Sequence, residues 1–384
     1  MTRTETILPP RLFLAPEGLF AIQGDMYALE SASGAVQHHY PVEGLPEVAS
    51  AQGVLYLNVT NRFRSTVQAV RITDGALLWE YLADDTLAGA PAIGDGALYV
   101  GTRYGSVLAL RLDDGTLLWR YSVGDDPEIP SFQRPMLVKA FATAAGIIYF
   151  ALAANPPLQP FLFALQARTG QLLWQVPLPE STTHELTIFD EGIYLSTYRH
   201  CCAMRASDGA TLWNQRLQEH GHLFSRPIVT DEAVYVSSLQ FTSSFARDKG
   251  AWTHHKQITL HALRRGNGSP LWNVQLPAAE EQETGSVTEP AVDQTSLFVG
   301  TDDGTLSALH RSTGLPRWHY QTSGTRLSEP VVWQQIVSVG VNDGSVLALR
   351  IDDGTLLWRT PLDGKKITVV FSSTLIRKNT NEVQ

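Results

Sequence analysis

Residues 106–121 read SVLALRLDDGTLLWRY and residues 345–360 read SVLALRIDDGTLLWRT, so fourteen of sixteen positions match across a separation of 239. Self-similarity at a regular period constrains architecture more than any other single sequence feature, because each repeat is then one supersecondary unit. The doubled stretch reduces to Ala, five residues, Gly, three residues, Trp. That frame fits Ala69/Gly75/Trp79, Ala109/Gly115/Trp119, Ala164/Gly170/Trp174, Ala203/Gly209/Trp213, Ala262/Gly268/Trp272, Ala308/Gly314/Trp318 and Ala348/Gly354/Trp358. An eighth copy, Ala28/Gly34, carries His38 where the indole should stand. Successive tryptophans lie 40, 55, 39, 59, 46 and 40 residues apart, a base period near 40 with insertions in particular units.

Each unit reads as four short strands. In the third, APAIG, ALYVGT, SVLALRL and LLWRYSV are rich in β-branched or aromatic residues and are separated by Gly-Asp-Gly, Arg-Tyr-Gly and Asp-Asp-Gly turns. No segment of helical length shows a 3.6-residue period. Four antiparallel strands per unit, repeated eight times, predict an all-β chain folded as an eight-bladed β-propeller, one domain over 1–384 with its repeats at about 11–364. The apolar run 140–154, AFATAAGIIYFALAA, is shorter than the roughly 18 residues of a membrane span and aligns with the strand pair of the preceding unit, so it is read as a buried hairpin. Residues 367–376, ITVVFSSTLI, form one further strand-like segment, which either reinforces the seam of the ring or begins a ninth unit.

The Ala-x5-Gly-x3-Trp frame resembles the pyrroloquinoline-quinone (PQQ) repeat, known from quinoprotein dehydrogenases and BamB-like propellers. The resemblance implies that Trp79, Trp119, Trp174, Trp213, Trp272, Trp318 and Trp358 lie on outermost strands and pack against the motif of the neighbouring blade, with the small Ala and Gly making room. A buried indole is worth several kcal/mol, since Trp→Ala in a core typically costs about 3–5, so these residues read as scaffold. Where the family often has Asp two residues after the Ala, this chain has Arg71, Arg111, Arg205, Arg264 and Arg350. Pairing of these with a carboxylate of the following turn, such as Asp74 or Asp114, is the expectation.

A formal net charge of -9, without basic runs longer than pairs, argues against a nucleic-acid surface. Cys201 and Cys202 are adjacent, which gives neither a disulfide framework nor a zinc spacing. Some quinoprotein alcohol dehydrogenases carry a vicinal disulfide over the quinone. Here CCAMRASDG aligns with VLALRIDDG, so the pair reads as ordinary strand residues whose side chains point to opposite sheet faces. GVNDGS and GTDDGT resemble fragments of a calcium loop, but fall at hairpin turns and lack the closing Glu. No signature of a hydrolase, zinc protease, nucleotide-binding loop or attached haem is present, and no metal site is predicted.

With strands running from the channel outward, the turns joining the second and third strands share one face with the connections between blades. The long insertions, around 124–139, 153–161, 218–224, 240–257 and 277–287, all fall on that face. Loops grafted on a rigid scaffold carry function. The candidate binding residues are therefore His220, His222, Trp252, His254 and His255 in these loops, together with Glu185, Arg226, Glu289 and Glu329, which open inner strands at the channel mouth. The expectation is a non-enzymatic scaffold that binds a protein or small-molecule ligand there without a cofactor. The alternative is a PQQ-dependent dehydrogenase of alcohols or sugars, holding PQQ and Ca2+ above the channel. The resemblance implies an extracytoplasmic place in the cell envelope, although no signal peptide is visible in the sequence.

Overall fold

A computed structural model describes residues 4–7, 9–15, 18–42, 46–60, 64–123, 137–153, 159–182, 185–217, 223–246, 251–276, 288–324, 326–362 and 368–371. These form eight antiparallel sheets in a ring, an eight-bladed β-propeller without helices, with blades at 11–40, 47–83, 87–122, 137–177, 187–216, 223–276, 291–321 and 331–361. Blade 3 is representative: Leu87–Gly94 is innermost, followed by Ala97–Thr102, Ser106–Arg111 and Leu117–Ser122. Blade 6 departs from this plan. Its inner strand is broken into Leu223–Phe224 and Ile228–Val229, both paired with Ala233–Ala246. Pro227, which has no N–H to give to a ladder, lies in the break. The apolar run near 140–154 is the hairpin of Leu137–Ala144 with Ile147–Ala153, as expected. No helix among the described residues is long and apolar enough to cross a membrane.

The core is divided among the seams. Among the described residues, eight apolar clusters each join two adjacent blades, and the cluster of Leu19, Ala21, Tyr27 and Leu29 with Val346, Ala348 and Trp358 joins blade 8 back to blade 1. Successive side chains of a strand point to opposite faces, so every middle strand feeds two seams. Cys201 and Cys202 illustrate this: both are free and buried, Cys201 in the seam of blades 5 and 6, Cys202 in that of blades 4 and 5.

The repeated motif is the seam's polar fastening. Trp79 Nε1 donates to the Leu112 carbonyl of the next blade at 2.8 Å, and Trp119, Trp174, Trp213, Trp272 and Trp318 donate in the same way to Ala167, Ala206, Arg265, Arg311 and Ile351. The ring of each indole covers the motif glycine of the following blade. At Gly115 the backbone has φ +71°, and a Cβ would come within 2.6 Å of the Trp79 ring; glycine satisfies both demands at once. Trp358 closes the circle on Ser31.

Blade 1 corrects the alignment in one respect. His38 does pair with Ala28, at the register the indoles occupy elsewhere, but its side chain is exposed. Tyr40, two residues on, does the fastening: its hydroxyl donates to the Ile72 carbonyl and its ring covers Gly75. The Arg pairings appear where a carboxylate is available, Arg71 with Asp74 (2.8 Å), Arg111 with Asp114 (3.2 Å), Arg205 with Asp208 (2.8 Å) and Arg350 with Asp353 (3.5 Å). Arg264 differs because Asn267 stands where the other turns have Asp. Water screens such half-exposed pairs, so they contribute little to stability. Finally, Thr4–Ile7 pairs antiparallel with Thr368–Phe371 as a separate two-stranded sheet. The late segment thus joins the two termini and does not begin a ninth blade.

Candidate functional site

The inner strands converge on a cavity of about 690 Å³ in the channel, and one register rule decides what lines it. In every blade the motif Ala pairs with a residue of the second strand: Phe20, Tyr56, Tyr99, Tyr149, Tyr194, Tyr235, Phe298 and Ser338. Nine positions before these stand Arg11, Glu47, Ala90, Ala140, Glu185, Arg226, Glu289 and Glu329. All but Ala140 line the cavity. The four channel residues singled out from the sequence therefore do meet in one place. Arg11 and Glu47 were missed because Pro10 and Pro46 precede them, whereas Arg226, Glu289 and Glu329 stand before their prolines; counting back from the motif Ala would have found them.

Charges are arranged asymmetrically around this ring. At this register position blades 5 to 8 and then 1 and 2 carry ionisable groups, while blades 3 and 4 carry Ala90 and Ala140; the side chain of the neighbouring Lys139 lies outside the described residues. Arg226 is shared, with Nη1 3.3 Å from Glu185 Oε2 and Nε 3.1 Å from Glu289 Oε2. Arg11 pairs with Glu47 at 2.8 Å. Between Glu289 and Arg11 stands Glu329, exposed to the channel and without an ion pair among the described residues. Four carboxylates against two guanidiniums leave a formal charge of −2 when all are ionised.

The titration behaviour follows from that crowding. Burial pushes Glu289 up to about 7; Arg226 opposes this, while the charges of Glu329 and Glu185 add to it. Glu185 is also raised, first by burial, against the pull of Arg226. Burial alone would lower Arg11, but its hydrogen bond to Glu47 and the charges of Glu47, Glu329 and Glu185 leave it raised. Among the described residues the cavity thus holds more negative charge than its cations neutralise. Its remaining walls are apolar or small, with Leu12, Phe13, Ile22, Val48, Ile228 and Val331 among them.

The second feature is the hairpin of blade 6. Ala233–Ala246 and Ala251–Arg264 are each 14 residues long, and their pairing continues from Gln240↔Gln257 out to Ala246↔Ala251. The hairpin joins the second and third strands, so it rises on the insertion-bearing face. Lys256 ties its base to blade 7 through a buried ion pair with Asp302, whose carboxylate has no solvent exposure. Deeper in the blade, the buried His261 Nε2 lies 2.9 Å from Ser238 Oγ. Trp252, His254 and His255 sit on the outer part of this hairpin by backbone register, opposite Phe245, Ser243 and Thr242. Their side chains, and the whole of His220 and His222, lie outside the described residues. Among the described residues no three His, Cys, Asp or Glu side chains are grouped closely enough to hold a metal ion.

Comparison with known proteins bears on what such a propeller does. A family model described as outer membrane protein assembly factor BamB matches residues 11–141, 162–257 and 256–381. The BamB of Yersinia pestis is 28% identical over 172 residues, a stretch that makes up 42% of this chain and 39% of that relative. Among solved structures, BamB from Moraxella catarrhalis superposes with a TM-score of 0.59 at 18% identity, covering 92% of this chain and 98% of that one. Quinohemoprotein alcohol dehydrogenase from Comamonas testosteroni gives a TM-score of 0.65 at 14% identity, covering 94% of this chain and 76% of that one. At these identities the two structural likenesses establish the fold alone.

Proposed function

Because the chain belongs to the outer membrane protein assembly factor BamB family, we propose that it is a non-enzymatic scaffold of the cell envelope that binds a protein partner in outer membrane protein assembly. The observation that carries this reading is one hairpin that outgrows an otherwise repeated ring. An aromatic side chain fastens every seam, whereas the blade 6 hairpin reaches twice the length of an ordinary strand pair and rises on the insertion-bearing face. A rigid ring that presents one protruding arm and one concave centre suits protein recognition.

The dehydrogenase reading is not favoured by the residues present. Pyrroloquinoline quinone is a polycarboxylate anion, and the cavity offers it an excess of carboxylates, with Arg11 and Arg226 already engaged by Glu47, Glu185 and Glu289. Nor do Cys201 and Cys202 lie over the channel; they are core residues of two different seams.

Gene deletion and complementation test the proposal. Loss of the gene is expected to lower the outer membrane's content of β-barrel proteins. The wild-type chain and the opposite-face variant Arg71→Ala should restore it, whereas a chain lacking residues 243–254 should not. Barrel proteins unchanged by the deletion, or fully restored by the shortened hairpin, would overturn the reading.

A further inference from the structure

We propose that the channel cavity binds a guanidinium or ammonium group carried on an aliphatic stem, with Glu329 and Glu289 receiving the cation and the small wall at Gly89 and Ala90 accommodating the stem. The proposal rests on the scaffold reading above and names the chemistry its central site would accept.

Three observations lead to it. First, the internal pairing of the ring is incomplete in a particular place. Arg11 is matched by Glu47, Arg226 is divided between Glu185 and Glu289, and Glu329 stands in the gap between these two groups with no ion pair among the described residues. One added cation at that point would neutralise Glu329 and relieve the share of negative charge that Arg226 cannot cover. Second, the cavity is large enough for more than an ion. Its volume of about 690 Å³ is in the range of small-molecule sites. The blade 3 wall is Gly89 and Ala90, so no side chain larger than methyl fills that side at this level. Third, the rest of the lining is aliphatic or proline, with Val48, Ile228, Pro290, Pro330 and Val331, plus the aromatic Phe13. A bare metal ion gains nothing from such walls, whereas the methylenes of an arginine, a lysine or an alkyl amine do.

The charged groups that face Glu289 are Arg226, Glu185 and Glu329, with Arg11 and Glu47 completing the ring. As Glu289 takes up a proton near neutrality, the cavity loses one of its four negative charges. Cation binding should therefore weaken from pH 8 to pH 6, although the ligand's own charge does not change in that range.

Two sources carry this chemistry, a free amine and a basic side chain of a protein segment. Isothermal titration of the full chain with agmatine, and separately with a short capped peptide whose single central arginine is its one charged group, distinguishes them. Saturable binding by either is expected. It should weaken about tenfold in Glu329→Gln, the loss of roughly one charge-assisted contact, and it should weaken at lower pH in the wild type but less so in Glu289→Gln. Tighter binding of the peptide assigns the site to a protein segment, and equal or tighter binding of agmatine assigns it to a small amine. Melting of Glu329→Gln as in the wild type, and of Glu289→Gln at or above the wild type, shows that the ring is intact. No binding of either probe, or binding that is indifferent to both substitutions, would overturn the proposal. Neither result would disturb the complementation experiment, which depends on the hairpin.

Discussion

The indole nitrogen of Trp358 donates a hydrogen bond to the carbonyl oxygen of Ser31, 3.0 Å away and 327 positions earlier in the chain. Every other fastening of this kind joins neighbours in sequence order, so this one closes the circle. Contacts of such long separation are the slowest to form and depend on the rest of the ring being in place. Trp358→Ala should therefore cost about 3–5 kcal/mol, by loss of a buried indole, and Trp358→Phe about 1 kcal/mol, by loss of the hydrogen bond. Urea denaturation gives the two values. Hydrogen exchange should show protection lost first in blades 1 and 8, and an alanine variant as stable as the wild type would contradict the closing role.

Tyr40 and His38 make a paired prediction, because the alignment names one and the structure uses the other. Tyr40 is buried and its hydroxyl donates to Ile72. Tyr40→Phe should cost roughly 0.5–1.5 kcal/mol, the net worth of one intramolecular hydrogen bond. His38→Ala, at an exposed position, should stay within about 0.5 kcal/mol of the wild type. Thermal melts of the two single variants settle the assignment, and a larger loss at His38 would reverse it.

The buried pair at the base of the hairpin predicts a non-additive result. Lys256 and Asp302 are almost fully withdrawn from water, with side chains 3% and 0% exposed. Removing one partner takes the opposite charge away from a buried group, so Asp302→Ala or Lys256→Met alone should destabilise by about 3–5 kcal/mol. The double variant should recover much of that loss, because no charge is then stranded. A double-mutant cycle by chemical denaturation measures the coupling, and strict additivity would show that the pair does not act as a unit.

The ring was legible in the sequence because its constraints are local and repeated. A motif Gly at positive φ under an indole leaves the same spacing in every blade, and Asp-Gly turns mark the strand ends. Tyr40 escaped notice because one aromatic displaced by two residues keeps the packing while breaking the spacing. The cavity was half legible. Glu185, Arg226, Glu289 and Glu329 stood out as charges opening strands, but that Arg226 is divided between two carboxylates, and that Glu329 is left over, depends on distances across the channel that no spacing along the chain records. The hairpin was visible as an insertion, yet its pairing out to Ala246 and its anchoring by Lys256 to a turn of the next blade are relations between strands.

The half-buried Glu289 and the buried His261 give the stability a pH dependence with opposing parts. Glu289 ordinarily titrates near 4.5 and is pushed to about 7 in the folded chain. Between those values the folded state holds a proton that the unfolded state has released, so this group makes stability fall as pH rises. His261 ordinarily titrates near 6.5 and burial lowers it to about 4. Between those values the unfolded state holds the extra proton, so this group makes stability fall as pH drops. The windows overlap, and in the wild type the two trends partly cancel. Glu289→Gln removes the first: its melting temperature should gain on the wild type progressively from about pH 4.5 to 7. His261→Asn, which keeps an acceptor for Ser238, removes the second and should gain on the wild type as pH falls from about 6.5 to 4. Melting curves of the three proteins across that range provide the measurement, and differences from the wild type that do not vary with pH would show that neither group is shifted as its surroundings require.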